Sequence, residues 1–402
     1  MKNLDQLVKE YGRPDILVDH WDSSSKSYAV WGYKNQFIYQ NNEVLINGEK
    51  IIGDPLTLWQ NCIDDWKKKS CKDLSAFGFF SYDFKQHLFK HINFKNISTN
   101  QPDIWFVMPD NVVEYKTNIK TQRHGRSKKL ELIRNLPKLS KYQQKIHKIK
   151  EHLLNGDAYQ INYTEKMEFK INEDPLSFFL GVRQDIRPHY GCFINLGDAC
   201  IVSFSPERFF KTHQGFISSY PMKGTRPRFE NENEDREQIE DLKHSDKDRA
   251  EHIMIVDLLR NDIGKISELG SVEVNNLFSI ESFETVHQMV SEVRGKLAKN
   301  IKENEIIKAM FPGGSITGAP KEISMKIIDT LENYGRGIYT GAIGKVSSNG
   351  EMDFSIAIRT LFVENSKGIY PVGGGIVWDS NAKEEYDEAY QKSKILLNFI
   401  EK

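Results

Sequence analysis

Lys223 stands in the stretch Tyr220-Pro221-Met222-Lys223-Gly224-Thr225-Arg226-Pro227, and the residue types around it suit a reactive centre. The two prolines fix the chain direction, Gly224 lets the backbone approach a ligand closely, and Thr225 adds a hydroxyl and an N–H at the same point. A lysine amine facing inward serves as a cation or, once it has lost its proton, as a nucleophile. Alone, such a stretch reads as a surface turn. Two carboxylate pairs change the weighing. Asp248 and Glu251 are spaced i, i+3 on one expected helix, and Glu385 and Glu388 have the same spacing on another. Each pair therefore projects to one side of its helix, where like charges repel. Two solvated helix faces would tolerate this. The alternative is a Mg²⁺ held by one glutamate from each helix, with water and a substrate carboxylate completing the oxygen shell.

Three further features could meet an anionic ligand. Arg359, in Ser355-Ile356-Ala357-Ile358-Arg359-Thr360, is a charge in an apolar run, and a buried guanidinium demands a carboxylate. The run Phe311-Pro312-Gly313-Gly314-Ser315-Ile316-Thr317-Gly318-Ala319-Pro320-Lys321 feeds a helix start, which can hold an anion. It lacks the Gly-Lys-Ser/Thr ending of a nucleotide-binding loop. Gly373-Gly374-Gly375 lacks dinucleotide spacing and would admit a ligand or a second backbone.

The elements that must position these residues are read from hydrophobic period and punctuation. Short strands are expected over Ser27–Tyr33, Gln36–Tyr39 and Glu43–Ile46, then a helix from Asp54 to Trp66 and a buried strand over Ala76–Tyr82. Asp103–Met108 and Asn111–Tyr115 read as a hairpin turned at Pro109-Asp110. Asn118 to Leu139 is rich in Lys and Arg without interleaved aromatics and reads as a solvated connector. Ser140 is the expected N-cap of a helix whose apolar face is Tyr142, Ile146, Ile149 and Leu153. Strands follow over Tyr159–Thr164, Gly191–Asn195 and Ala199–Phe204. The acidic stretch Phe229–Glu237 reads as disordered before a helix over Lys247–Asn261. A helix over Glu322–Glu332, strands over Gly337–Val346, Met352–Val363 and Val372–Val377, and a last helix over Ala382–Phe399 complete the reading. Hairpin-joined strands with flanking helices predict an α+β fold, with large antiparallel sheets packed as a sandwich and helices outside.

With 402 residues, 39% hydrophobic and 28% charged, the chain exceeds one ordinary core. A net charge of −1 gives no general attraction to nucleic acid or membrane. No long apolar run or signal core is present, and Cys62, Cys71, Cys192 and Cys200 show no metal spacing, so a cytoplasmic protein with reduced thiols is expected.

One resemblance ties these stretches together. Ser205-Pro206-Glu207-Arg208-Phe209, Pro221-Met222-Lys223-Gly224-Thr225, Asp248-Arg249-Ala250-Glu251 and Val256-Asp257-Leu258-Leu259-Arg260-Asn261-Asp262 occur in this order. The Phe311–Lys321 run, Ala357-Ile358-Arg359-Thr360, Gly373-Gly374-Gly375-Ile376 and Glu385-Tyr386-Asp387-Glu388 follow. The series resembles the chorismate-utilising enzymes, most closely the aminodeoxychorismate synthase component I group. It covers Ser140 to the end; the first third is similar to the family's amino-terminal region only loosely. The resemblance thus divides the chain into an amino-terminal region, 1–139, and a chorismate-binding catalytic region, 140–402.

Within the family, anthranilate synthases carry alanine where this chain has Lys223, and isochorismate and salicylate synthases carry a lysine base where it has Gln160. The resemblance implies that Lys223 attacks C2 of chorismate as the C4 hydroxyl leaves, and that ammonia then enters at C4. By the same resemblance Glu207 is the general acid and base. Glu251 and Glu388 are the Mg²⁺ ligands, with Asp248 and Glu385 supporting. Gly224, Thr225, Thr317, Tyr339, Arg359, Gly373, Gly374, Gly375 and Gln160 meet the substrate. Many relatives have a histidine where this chain has Gln288; neither Gln288 nor the neighbouring His287 is placed in the catalytic set. No segment resembles a Cys-His-Glu amidotransferase or a carboxy-terminal lyase domain, so a separate glutamine amidotransferase subunit is expected as the ammonia source.

Overall fold

The strands form one continuous antiparallel ribbon that doubles back on itself. In the computed structural model, which describes residues 4–20, 26–70, 74–95, 97, 99–117, 129–283 and 286–400, the ribbon starts at Leu130–Arg134, which pairs with Gln160–Ile171. It runs through Lys367–Ile376, Thr360–Glu364, Ala199–Ser205, Tyr190–Asn195 and Ile16–Asp19 to the long strand Ser27–Gln40. From there it continues through Ile104–Tyr115, Leu74–Phe80, Ala342–Ser347, Met352–Ile356, Arg208–His213 and Phe216–Ser219 to Val286–Lys296. Ser27–Gln40 has a positive φ at Gly32 and a register shift between Tyr33 and Asn35. A bulge of this kind bends a strand, and this one lies where the two halves meet.

The halves face each other across an apolar layer. Ile16, Ile194, Ile201 and Phe362 come from one half, and Phe77, Phe79 and Ile343 from the other. Helices cover the outer faces, as a sandwich with helices outside requires. Trp59 and Ile63 of Pro55–Lys69, Ile255 and Leu259 of Asp246–Gly264, and Ile307 of Glu303–Met310 pack on Phe106, Phe210 and Phe354. The Trp59 ring sits edge-on to Phe80 and Phe106, at centroid distances of 5.1 and 5.2 Å. On the other face Phe178 and Phe179 of Pro175–Ile186 and Leu396 of Ala382–Leu397 cover Phe193, Phe204 and Phe169. Leu139–Leu154 and Lys321–Leu331 pack on Ile161 and Tyr163.

The regions 1–139 and 140–402 share this ribbon: Ile16–Asp19 lies against Tyr190–Asn195, and Leu74–Phe80 against Ala342–Ser347. The positively charged stretch is only partly a connector. Residues 118–128 lie outside the described residues, whereas Leu130–Arg134 is a strand paired to Gln160–Ile171. Among the described residues no helix is long and apolar enough to cross a membrane. Cys62, Cys192 and Cys200 are buried free thiols; Cys71 is outside the described residues.

Several local expectations change. The hairpin at Pro109-Asp110 does not form: Ile104–Tyr115 is one strand, with Pro109 opposite Tyr33 at the bulge, where a missing N–H costs no ladder bond. Phe229–Glu237 is not disordered; Asn231 caps a helix over Glu232–His244 by accepting from the N–H of Asn233 at 2.9 Å. The cap expected at Ser140 moves to Lys138, which makes no side-chain bond. Pro175–Ile186 was not assigned from sequence. Its start, Asp174-Pro175-Leu176-Ser177, nevertheless repeats the grammar of Asp54-Pro55-Leu56-Thr57, with the aspartate accepting from the third following N–H in both.

Candidate active site

The expected turn around Lys223 is a strand, Met222–Pro227, at an edge of the ribbon against Val286–Lys296. Its prolines are tolerated because an edge strand pairs on one side only. The register slips between Lys223 and Thr225, and Gly224 adopts φ 64° there. A Cβ at Gly224 would lie 2.6 Å from Leu242 Cδ1 and 3.1 Å from Asp248 Cβ, so both backbone and space demand glycine. This bulge turns Lys223 inward, with its side chain 17% exposed. The amine lies 3.5 Å from Gln160 Oε1 and 3.8 Å from Glu251 Oε2.

The cleft it enters holds about 570 Å³ and is lined by Glu207, Lys223, Gly224, Thr225, Asp248, Glu251, Tyr339, Arg359, Gly373, Gly374, Gly375, Glu385 and Glu388. Thirteen of the fifteen residues singled out from sequence thus share one cavity. The other two stand behind its wall. Gln160 is fully buried, and its Nε2 has no partner among the described residues. Thr317 does not line the cleft as expected: its hydroxyl turns back to donate to Gly313 O at 2.8 Å and closes the glycine-rich loop.

Burial dominates the electrostatics. It pushes the Glu207 carboxyl up to about 7, against the opposing pull of Lys223, the Ser315 hydroxyl, Lys392 and Arg359. Ser315 Oγ donates to Glu207 Oε1 at 3.3 Å. Arg359 was expected on a continuous strand. The ladder instead breaks between Met352–Ile356 and Thr360–Glu364, and Arg359 sits in the break at φ 52°. A left-handed arginine is uncommon and marks a site where tertiary contacts override local preference. Its guanidinium faces the cleft without a hydrogen bond or ion pair to any described residue.

The carboxylate pairs reach the cleft from two helices. Ser245 caps Asp246–Gly264, accepting from Asp248 N at 3.3 Å, and Asn381 caps Ala382–Leu397. Burial raises Glu251 and Glu385, and Glu388 adds to both by repulsion. Glu388 itself is lowered, chiefly by Lys392 at 2.7 Å. The supporting pair divides: Asp248 accepts from Arg226 at 3.0 Å, and Glu385 accepts from Ser380 at 2.6 Å. Among the described residues no three acid, histidine or cysteine side chains form a metal centre by themselves. The donor set, with a repulsion that Lys223 and Lys392 offset only in part, fits a hard divalent cation that draws its remaining ligands from water and substrate.

The three glycines have separate jobs. A Cβ on Gly373 would stand 2.0 Å from Tyr163 O, and one on Gly375 2.8 Å from Gln160 Nε2. A Cβ on Gly374 would stand 3.6 Å from Glu385 Oε2 and 3.8 Å from Glu388 Oε1. Lys392 was missed. It donates to Gly373 O at 3.0 Å and lies one turn beyond Glu388, a spacing visible in the sequence. Asn162, Ser315 and Lys247 were also missed. His287 is satisfied by Ser282 Oγ at 2.8 Å and Asp235 at 2.9 Å, whereas Gln288 faces the cleft.

A sandwich of this topology with this cleft defines a class. The chain belongs to the chorismate binding enzyme family, whose pattern matches residues 15–398. It is 42% identical over 261 residues to aminodeoxychorismate synthase component 1 of Escherichia coli (strain K12), covering 65% of this chain and 58% of that protein. The chain therefore spans under two thirds of that relative's length. To the protein of the same name from Bacillus subtilis (strain 168) it is 31% identical over 390 residues, covering 87% and 83%. The crystal structure of anthranilate synthase component I from Streptococcus pneumoniae superposes with a TM-score of 0.81 at 27% identity, over 93% of this chain and 92% of that one.

Proposed function

We propose that this chain is the ammonia-using component of a 4-amino-4-deoxychorismate synthase, feeding para-aminobenzoate and folate synthesis in the cytoplasm. The observation that carries the reading is the amine of Lys223, set inside the cleft between Gln160 and Glu251. Arg359 supplies a cation for a substrate carboxylate, and Tyr339 with the Gly373–Gly375 backbone shapes the wall against the ring. Glu207, protonated near neutrality, gives its proton to the departing C4 hydroxyl, which leaves as water. Lys223, after losing its proton, forms a bond to C2 as the ring double bonds shift. Ammonia then bonds to C4, the double bonds shift back, and the C2–N bond breaks to return the lysine. Glu251 and Glu388 would hold Mg²⁺, with Glu385 and Asp248 behind them; when bound, the ion neutralises substrate carboxylate charge.

Products formed from chorismate, Mg²⁺ and ammonium chloride, read by mass spectrometry, test the proposal. 4-Amino-4-deoxychorismate is expected; anthranilate with pyruvate would establish the other branch of the family. We expect turnover with ammonium salts and none with glutamine until an amidotransferase partner is added. Glutamine-dependent turnover by the pure chain would refute that division of labour.

A pH profile provides a separate check. Glu207 works as an acid, so the reactive form is present below its pKa and is lost as pH rises through about 7. Free ammonia increases over the same interval. Rates divided by free ammonia concentration should therefore fall above about pH 7, while raw rates level off instead of following the rise in free ammonia. A flat normalised profile would remove Glu207 from the acid role.

A further inference from the structure

Glu332 and Arg336 do not touch the cleft, and both are buried, at 4% and 3% exposure. Arg336 grips Glu332 with two parallel bonds, Nε to Oε2 at 2.8 Å and Nη2 to Oε1 at 2.7 Å. The remaining donors do not go to solvent. Nη2 donates to Asn162 O at 2.7 Å, and Nη1 donates to Ile316 O at 3.0 Å and Thr340 Oγ1 at 3.2 Å. Glu332 Oε1 in turn accepts from Thr164 N at 3.0 Å and Thr164 Oγ1 at 2.7 Å.

These partners come from three separate walls of the cleft. Asn162 lines it from the strand opposite Gly375. Ile316 lines it directly after Ser315, the donor to Glu207. Thr340 follows Tyr339 and is held at φ 59°, a strained setting for a β-branched residue, with its hydroxyl also donating to Tyr339 O at 2.6 Å. Only the planar guanidinium has enough fixed donors to hold a carboxylate and two carbonyls at once. A buried ion pair is a poor source of net stability, since apolar residues of similar volume often do as well or better.

We propose that Glu332 and Arg336 act as a positioning pair that staples Asn162, Ile316 and Tyr339 into one substrate-binding wall. This rests on the chorismate amination reading above. Loosening the staple leaves the sandwich intact but moves the wall relative to Lys223 and Arg359.

The test compares native protein, the double variant Glu332→Leu/Arg336→Met, and Arg336→Lys. Melting temperature, KM for chorismate and kcat with ammonium chloride are measured for each, and chorismate affinity by calorimetry. The double variant leaves no unpaired buried charge but strips Asn162 O, Ile316 O and Thr164 N of their partners, so its melting temperature should fall modestly while the chain stays folded. Its KM should rise about tenfold and its kcat fall about a hundredfold, the scale of an ångström-sized misplacement. Arg336→Lys keeps the ion pair with fewer carbonyl contacts and should recover part of both losses. A purely structural pair would lower melting and active fraction while leaving KM and affinity native, and that result overturns the proposal. If the double variant does not fold, native KM and affinity in Arg336→Lys overturn it equally. A native chain that binds chorismate without aminating it ends the functional reading, while weaker binding by the variants would still support the staple.

Discussion

Lys223→Ala is expected to lower 4-amino-4-deoxychorismate formation by roughly a thousandfold or more, the scale on which loss of a covalent nucleophile acts. Lys223→Arg is expected to do no better. Arginine keeps the positive charge but stays protonated at any workable pH, so it can bind a carboxylate and cannot attack carbon. The pair of variants therefore separates the two roles of the lysine. In Lys223→Ala, Arg359, Glu207 and the carboxylate helices keep their places, and the vacated space lies beside Gln160 and Glu251. Direct attack of ammonia at C2 is then open, and a trace of the chemistry of the alanine-bearing relatives is expected. Intact-protein mass after quenching with chorismate in ammonia-free buffer checks the intermediate. The native chain should carry an adduct that Lys223→Ala lacks. Full activity in Lys223→Arg would end the covalent mechanism.

Glu251→Gln and Glu388→Gln are each expected to reduce turnover at least about a hundredfold, with the sandwich intact. The argument is electrostatic. Glu251 and Glu388 belong to helices far apart in the chain, and each raises the energy of the other's charge. The lysines now beside them offset this only in part: Lys223 stands 3.8 Å from Glu251, and Lys392 pairs with Glu388. If these carboxylates hold the ion as proposed, removing one removes a ligand and also the repulsion, so the folded chain should be no less stable while its affinity for the ion falls. Calorimetric titration with Mg²⁺, or resonance detection of bound Mn²⁺, reads that affinity without reference to activity. Undiminished ion binding in both variants, or full native activity in the presence of a chelator, would dismiss these residues as ligands.

Legibility from sequence was high where the signal was local. Asp248 with Glu251 and Glu385 with Glu388 needed only the helical repeat, and both helices form, with N-caps at Ser245 and Asn381, two residues and one residue before the ranges read from the periodicity. The aspartate-proline starts are equally local signals, at Asp174 as at Asp54. The hairpin expected at Pro109 failed for a different reason. A Pro-Asp pair is compatible with a turn and with an edge bulge, and the long partner strand Ser27–Gln40 selected the bulge.

The sequence by itself determined the chemistry available: one lysine between prolines beside a required glycine, two carboxylate faces, an isolated arginine and three consecutive glycines. It also determined the order that marks the family. Only the tertiary structure decided who meets whom. Strand register brought Gln160 to Lys223 and set Gly375 against Asn162; a break in a ladder aimed Arg359 into the cleft; Thr317 turned away while Lys392 turned in. The reason is range. Caps, helix faces and positive-φ glycines are governed by neighbours within about one helical turn, so they are written in short stretches. Contacts such as Arg336 to Asn162, 174 positions apart, depend on how a long antiparallel ribbon pairs and folds over, and a one-residue slip in register would change them all.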